Sequence, residues 1–462
     1  MTTPPVLRTA WWPFGLLVAL LAFAHSAFYA VLTPLWQAPD EPAQFEYVLL
    51  IAQRGRPTED LDPAIQRRIV EDLVARDFFR FAGGNRPSPE NLSFEAVWPG
   101  QARYVGRQPA YFLAAALVAR SFDGAVIASQ VYAVRLFSAL LFALTIACLY
   151  FTIRLVAPRR PLLAVGSAWA AALLPMPAYL GGMVNNDNLA NLVGAALFLL
   201  IALAERRGYR PEWVAGLLLL AVVALYTKRT TLFVPPMVAL VLASAVWRQG
   251  WRARIALAAM VALSLLALVA AIQTFPPLRD TVAYLADRYF ANDSVSANLT
   301  AIEGISPGWQ SVLTSFLSHA QPFFQSAVAT FGWLTVPVAP LWYLLWVAAL
   351  SVALGGAIVF AVRAAPGVDR LGKAALRWLA FGLGCSIALI LVYALYFSQD
   401  GTAPQGRYLF VSLTPLMLLL SAGAAELTPR RLRPGALVLG AVLLLIFDAV
   451  ALFGSILPAY YG

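Results

Sequence analysis

Long apolar runs recur along this chain from Trp12 to Phe453. Many reach about 18 residues, the length a helix needs to cross a hydrocarbon layer of roughly 30 Å. Lipid offers no partner to a free backbone amide or carbonyl, so a run in lipid must fold as a helix. Only 12% of the 462 residues are charged, about half the share typical of soluble domains. The sequence therefore predicts an all-α integral membrane protein.

The apolar runs predict about eleven membrane-spanning helices in a single polytopic domain, residues 1–462. Their approximate ranges are 11–33, 126–157, 161–182, 187–205, 212–227, 231–247, 255–274, 337–362, 375–397, 408–425 and 434–456. Basic residues fall in every second short connection, which is typical of cytoplasmic loops. The net charge of +10 therefore indicates membrane orientation, not nucleic acid. The amino terminus is predicted to be cytoplasmic and the carboxyl terminus outside.

Two long polar segments, 34–124 and 275–335, are predicted on the outer side, where soluble chemistry is available. Within the first, the stretch from Pro63 to Phe81 predicts a helix lying at the membrane interface. The second also predicts surface helices, which would cover the active site. The apolar face of the predicted helix from Pro63 to Phe81 would consist of Ile65, Ile69, Leu73, Phe78 and Phe79.

Two adjacent acids, Asp40 and Glu41, follow the first span and are framed by Pro39 and Pro42. The prolines restrict the turn and hence the directions in which the acids can point. A carboxylate fixed at the outer membrane surface could act as general base toward an acceptor hydroxyl or amine. The alternative is structural, with Asp40 capping the helix that begins here.

The third and fourth spans meet at a turn that holds Asp187 and four asparagines, Asn185, Asn186, Asn188 and Asn191. A simple turn needs fewer polar groups than this. The turn could form one wall of a polar ligand or metal pocket. The alternative is a helix cap supplied by Asn186 or Asp187.

Three cations are predicted on the outer side, against the usual bias: Lys228, Arg229 and Arg407. Cations at membrane depth usually serve a function or are paired, and together they could bind the phosphate of a lipid-linked substrate. The alternatives are snorkelling and anchoring to lipid headgroups. His25 and His319 are predicted to be structural, and the two cysteines, Cys148 and Cys385, predict no disulfide framework.

Taken together, these motifs resemble the GT-C superfamily of membrane glycosyltransferases, and within it the DUF2142 branch of predicted bacterial membrane proteins. The resemblance covers most of the chain. It rests on the order and placement of Pro39-Asp40-Glu41-Pro42 with Phe45 and Tyr47, Arg107-Gln108-Pro109-Ala110-Tyr111-Phe112, Asn185-Asn186-Asp187-Asn188-Leu189-Ala190, Phe331-Gly332-Trp333-Leu334, and Gln405-Gly406-Arg407-Tyr408-Leu409-Phe410.

The resemblance implies that an acid of the first outer loop is the catalytic base, with Asp40 preferred over Glu41. It also implies interface helices in that loop and a donor lipid in a lateral groove. No cofactor is required, although Asp40, Asp187 and Glu303 would be compatible with a divalent metal ion. The remaining pocket is predicted to include Gln44, Tyr47, Arg107, Gln108, Tyr111, Asn186, Asp187, Gln405 and Tyr408.

The predicted function is inverting transfer of a sugar from a polyprenyl-phosphate donor to a glycan, lipid or protein acceptor in the cell envelope. The active site would lie on the outer face of a bacterial cytoplasmic membrane, in contact with membrane lipids. Asp40 would deprotonate the acceptor, and the three cations would stabilise the leaving phosphate. One alternative is a flippase or transporter of lipid-linked sugars, and another is a non-catalytic scaffold.

Overall fold

The computed structural model describes residues 12–82, 105, 108–248, 309–363, 365–397 and 405–462, together with a few isolated positions between 255 and 266. The described part is helical apart from one short hairpin. Its α-helices are α1 Trp12–Leu32, α2 Glu41–Arg54, α3 Pro63–Ala75, α4 Phe78–Ala82, α5 Ala110–Arg120, α6 Ile127–Val156, α7 Pro161–Leu173, α8 Pro175–Gly181, α9 Asp187–Arg207, α10 Pro211–Leu225, α11 Val234–Trp247, α12 Trp309–Val328, α13 Pro340–Val362, α14 Arg370–Phe397, α15 Leu413–Leu427, α16 Arg433–Ala451 and α17 Leu457–Tyr461.

Shorter elements connect these helices. Strands β1 and β2 pair antiparallel, with Thr330 opposite Pro337. Three 3-10 helices and one π-helical turn complete the described elements: Arg229–Thr231, Gly406–Ser412, Arg430–Leu432 and Leu452–Ile456. The 3-10 helix Gly406–Ser412 is important for the site, since it carries one of the three predicted outer cations.

Eight helical segments in the described part are long and apolar enough to span a membrane, and a bent pair makes a ninth. The bend, 65° between α7 and α8, occurs where Leu174 is extended before Pro175, because proline disfavours helical geometry in the preceding residue. Helix α10 is apolar but only 15 residues long, and the predicted span 255–274 lies outside the described residues. An all-α membrane bundle is thus confirmed, while the count of eleven stays a prediction.

The described residues of the segment 34–124 form four helices, α2 to α5. Their apolar core lies beside the main bundle and also includes Val131 and Val134 of α6. The predicted helix from Pro63 to Phe81 is broken in two, since α3 ends at Ala75 and Asp77 takes a positive φ of 51°. Its predicted apolar face is nevertheless buried, and it packs on the loop core through Ile65, Ile69, Leu73, Phe78 and Phe79.

Basic connections gather at one end of the bundle. Arg206 forms an ion pair of 2.6 Å with Asp369, and Arg160 forms one of 2.6 Å with Glu426. Helix α14 starts beside Asp369 and leads to the opposite end, where the chain continues to Arg407. The polar residues predicted to carry chemistry lie at that opposite end. The membrane orientation predicted from the alternating basic connections stays a prediction.

Candidate functional site

Asp40 immediately precedes α2, at its N-cap position, but its side chain does not cap the helix. Its backbone is left-handed, with φ 64° and ψ 2°, and its side chain makes no capping hydrogen bond. The capping alternative was therefore wrong. Instead, Asp40 Oδ2 accepts a hydrogen bond of 3.0 Å from Arg407 Nη2, and the Asp40 side chain keeps 19% of its exposure. A left-handed backbone is uncommon outside glycine and persists where the surroundings hold it.

Glu41, the second candidate base, is fully buried in an ion pair with Arg135. Its two oxygens accept from Arg135 at 2.6 and 2.8 Å and from the backbone amides of Trp36 and Val184. Arg135 also donates to the backbone carbonyls of Ala30, Thr33 and Pro34. Because these groups occupy the carboxylate, Glu41 fixes the loop and is not accessible to an acceptor.

Asp187, Lys228 and Arg407 form a charge network with Asp40. Lys228 Nζ lies 2.5 Å from Asp187 Oδ1, and Arg407 Nε lies 3.5 Å from Asp187 Oδ2. Arg407 therefore bridges two carboxylates that are distant in the sequence. Both cations also face the ring of Tyr408, at 5.5 and 5.9 Å from its centroid, so the aromatic ring adds a cation–π contact to each.

Burial lowers the pKa of Lys228, the nearby charge of Arg407 lowers it further, and Asp187 opposes both effects. A buried ammonium depends on its carboxylate partner to stay charged. The ion pair with Asp187 thus favours the charged form of Lys228 against the effect of burial.

The asparagine-rich turn positions Asp187. The Asp187 amide donates to Asn185 Oδ1 at 2.8 Å, and the Asn186 amide donates to Gln44 Oε1 at 2.7 Å. The Asn185 amide donates to the hydroxyl of Tyr111. Asn186 stands at the start of α9 without a side-chain capping bond, so the alternative of a cap from Asn186 was wrong. The amides tie this turn to α2 and α5.

Arg407 is positioned by two glycines that allow close backbone approach. A Cβ at Gly406 would collide with the carbonyl of Phe323 and with Ala327 of α12. The Gly406 amide donates to Ser326 Oγ at 2.8 Å. On the other side, a Cβ at Gly194 of α9 would collide with the carbonyl of Val411. The segment that carries Arg407 is therefore held between α9 and α12.

The hairpin motif Phe331-Gly332-Trp333-Leu334 supports the loop before Asp40. Trp333 Nε1 donates to the carbonyl of Trp36 at 3.1 Å, and the Gly332 amide donates to the hydroxyl of Tyr179 at 3.1 Å. Tyr179 in turn donates to the carbonyl of Gln37. This motif contributes hydrogen bonds to the loop and no charged group to the network.

The other predicted site residues differ in their positions relative to the charge network. Gln44 and Tyr111 are bonded to the asparagine turn, Tyr47 and Gln108 are buried, and Gln405 precedes the 3-10 helix of Arg407. Arg229 is exposed and its side chain makes no hydrogen bond or ion pair to any described residue, so its role in phosphate binding stays a prediction. Arg107 and Glu303 lie outside the described residues.

The residues present do not fit a divalent metal ion well. The two described carboxylates of the predicted metal set, Asp40 and Asp187, are each paired with a cation and are bridged by Arg407. Across the part of the chain that is described, no group of three or more His, Cys, Asp or Glu is arranged for a metal. Hard cations need several oxygen ligands, and here a guanidinium occupies the position between the oxygens.

Sequence reasoning missed three residues that organise this region: Arg135, Ser326 and Asp448. Arg135 and Asp448 lie inside predicted spans, and an ionisable residue at membrane depth is itself a signal of pairing or function. Asp448 accepts from Tyr29 at 2.5 Å and lies 3.1 Å from His25. Ser326 carried no comparable signal, because the bond that its hydroxyl accepts from the Gly406 amide forms only in the folded chain.

Glu46, on the same helix as Glu41, provides a test of how stability depends on pH. It is buried, and one oxygen accepts from Gln66 at 2.7 Å while the other has no hydrogen-bond partner among the described residues. Burial raises the pKa of Glu46 from 4.5 to about 7, and the bond from Gln66 opposes this. The folded state then holds a proton that the unfolded state has released, so stability falls as pH rises from 4.5 to about 7.

Glu46→Gln is therefore expected to be more stable than the wild type at pH 8, by up to about 3 kcal/mol, and similar below pH 5. Thermal unfolding of the purified protein in detergent at both pH values measures the difference. The control is Glu71→Gln, which removes an exposed carboxylate. A difference between wild type and Glu46→Gln that does not change with pH would contradict the buried neutral state of Glu46.

Comparison with known proteins identifies the family to which the chain belongs. Residues 23–420 match the family described as "Predicted membrane protein (DUF2142)". Among solved structures, the chain is similar to the apo form of the Archaeoglobus fulgidus oligosaccharyltransferase, with a TM-score of 0.45 and 14% identity, covering 98% of this chain. It spans 55% of the length of that chain. No curated protein matches. Because the family match covers most of its length, this protein belongs to the DUF2142 family of membrane proteins.

Proposed function

We propose that the protein is a GT-C-type glycosyltransferase that moves a sugar from a polyprenyl-phosphate donor to an acceptor at the outer face of the membrane. One observation carries the proposal. A partly exposed carboxylate, Asp40, lies 3.0 Å from Arg407 within a network that also contains Lys228. This network places a candidate base beside two cations suited to a phosphate, at one end of a membrane bundle.

Asp40 is the candidate base because it is the accessible one of the two adjacent acids. Its carboxylate pairs with Arg407 at 3.0 Å and keeps partial exposure, whereas Glu41 has none. The acceptor O–H or N–H would donate its proton to Asp40 as its heavy atom attacks the anomeric carbon. A positioned base of this kind typically contributes about 10²–10⁴-fold to the rate.

Lys228 and Arg407 would bind the leaving phosphate. The bond between the anomeric carbon and the phosphate oxygen breaks, and its electron pair remains on the phosphate. A guanidinium binds phosphate and carboxylate oxygens in the same bidentate manner. Donor binding would therefore compete with Asp40 for Arg407 and release the carboxylate for the acceptor. The acceptor would attack from the face opposite the phosphate, so the configuration at the anomeric carbon inverts.

The outer-face location rests on charge distribution. The described ion pairs of the basic connections, such as Arg206 with Asp369, lie at the end of the bundle opposite Asp40. Since basic connections favour the cytoplasm, the network would face outward. A donor whose phosphate sits at the membrane surface would reach Lys228 and Arg407 from the lipid.

The experiment that tests this proposal measures binding of undecaprenyl monophosphate, the proposed product, to protein in detergent micelles. Neither the sugar nor the acceptor needs to be known. Arg407→Gln removes a charged contact, which is worth about 1.5–3 kcal/mol, so we expect Kd to rise by about tenfold or more. The control Arg120→Gln removes an exposed arginine at the end of α5 and should leave Kd unchanged.

Equal binding by the wild type and Arg407→Gln would overturn the phosphate role of the network. A transbilayer lipid-scrambling assay in vesicles then distinguishes the two alternatives, a flippase and a non-catalytic scaffold. Movement of labelled undecaprenyl phosphate between leaflets by the wild-type protein would favour a flippase, and its absence would leave a non-catalytic scaffold.

A further inference from the structure

A lateral groove lies far from the candidate site, between the amino-terminal half of α14, the end of α13 and the start of α15. Its volume is about 760 Å³. The walls are mostly apolar, with Ala357 and Phe360 on α13, Leu379 and Leu383 on α14, and Leu418 on α15. An apolar groove open to the side of a membrane bundle suits a hydrocarbon chain.

The mouth of the groove is strongly basic. Arg370, Lys373 and Arg377 all line it, and their spacing places them on one face of α14. All three side chains are exposed, and none of these side chains forms a hydrogen bond or ion pair with a described residue. Among the described residues that line the groove, none is acidic.

Asp369 and Glu426 form ion pairs with arginines that do not line the groove. Asp369 precedes Arg370 directly but pairs with Arg206 at 2.6 Å. Glu426, near the end of α15, pairs with Arg160 at 2.6 Å and with Arg363 at 3.6 Å. The positive charge of the mouth is therefore not neutralised by these acids, and it is complementary to an anionic headgroup.

The dimensions distinguish this groove from the candidate site. From Arg370 to Leu383 it follows α14 for about 20 Å, which is comparable to one leaflet, roughly half of a 30 Å hydrocarbon layer. The helix continues to Phe397 before the chain reaches Arg407. A lipid with its headgroup at Arg370 thus lies in the leaflet opposite Asp40 and is not the donor.

We propose that this groove binds one anionic phospholipid, with its phosphate at Arg370, Lys373 and Arg377 and an acyl chain along α14. The proposal is independent of the glycosyltransferase function, because none of its residues belongs to the network of Asp40 and Arg407. It assigns the lipid to the leaflet at the basic end of the bundle.

Native mass spectrometry of the purified protein tests the proposal, with equal amounts of phosphatidylglycerol and phosphatidylcholine added as probes. The wild type is expected to retain one phosphatidylglycerol in preference to phosphatidylcholine. The triple variant Arg370→Gln, Lys373→Gln, Arg377→Gln should lose this preference by about tenfold. A matched control removes three exposed arginines outside the groove, Arg210→Gln, Arg430→Gln and Arg431→Gln, and should keep it.

A second variant distinguishes lipid binding in the groove from attraction of lipid by surface charge. Ala380→Trp places an indole in the groove and leaves all three cations intact. It should also lose the retained phosphatidylglycerol. If Ala380→Trp retains the lipid, or if the control triple variant loses it as strongly as the groove triple variant, the positive surface attracts lipid without a site and the proposal fails.

Discussion

Asp40→Asn is expected to abolish most sugar transfer, by about two decades or more, while the protein stays folded and inserted. The side chain keeps its shape and can still accept a hydrogen bond from Arg407, which lies 3.0 Å away in the wild type. What it loses is the capacity to take a proton from the acceptor. The effect should therefore fall on the chemical step.

Binding of undecaprenyl monophosphate should survive in this variant. Replacing Asp40 removes one negative charge next to Arg407 and leaves Asp187 as the partner of Lys228. The network then becomes more positive, and it loses a carboxylate that would compete with phosphate. Retained or tighter lipid binding together with lost transfer would separate a catalytic role of Asp40 from a role in positioning Arg407.

The measurement uses cells in which the variant replaces the native copy. Mass spectrometry of their membranes gives the ratio of polyprenyl-phosphate sugar to free polyprenyl phosphate, which should rise when transfer stops. Asp123→Asn, an exposed acid between α5 and α6, is the matched control. If cells with Asp40→Asn show the same ratio of lipid-linked sugar to free lipid phosphate as wild-type cells, Asp40 is not the catalytic base. Loss of both binding and transfer would make Asp40 a positioning residue.

The membrane fold could be predicted from the sequence because lipid imposes one strong rule. A run of about 18 apolar residues has essentially one stable form in a bilayer. The predicted spans 11–33 and 126–157 accordingly agree with α1 and α6 to within a residue. The same rule fails for α10, whose 15 residues are short for a span. Length alone does not say whether such a helix crosses the membrane.

The roles of neighbouring residues could not be predicted in the same way. Asp40 and Glu41 are adjacent and equally acidic, yet one meets Arg407 and the other is buried against Arg135, 94 positions along the chain. Lys228 and Arg229 differ in the same way, since only the first contacts Asp187. Such choices depend on how helices rotate and pack, and hydropathy along a sequence contains little of that information.

Arg135→Gln is the substitution expected to damage stability most. It leaves the Glu41 carboxylate fully buried without its ion-pair partner, and breaking a buried pair in this way costs about 3–5 kcal/mol. Glu41→Gln should cost less, because Arg135 keeps bonds to the carbonyls of Ala30, Thr33 and Pro34. We therefore predict that Arg135→Gln lowers the free energy of unfolding more than Glu41→Gln does.

Unfolding of the purified protein in detergent, followed by circular dichroism, measures these free energies. Arg67→Gln provides the control, because Arg67 pairs with Glu71 on an exposed helix face at 3.1 Å. An exposed pair of this kind contributes about 0–1 kcal/mol. Equal stability of Arg135→Gln and Arg67→Gln would contradict the buried pair.

The double variant Glu41→Gln, Arg135→Gln tests whether the pair acts as a unit. With both charges gone, neither is left buried alone, so the double variant should be more stable than Arg135→Gln even though it carries one more substitution. Glu41 also accepts from the amides of Trp36 and Val184, which flank Asp40 and the asparagine turn. Arg135→Gln should therefore weaken binding of undecaprenyl monophosphate as well, since the buried pair holds together the two loops that bring Asp40 and Asp187 to Arg407.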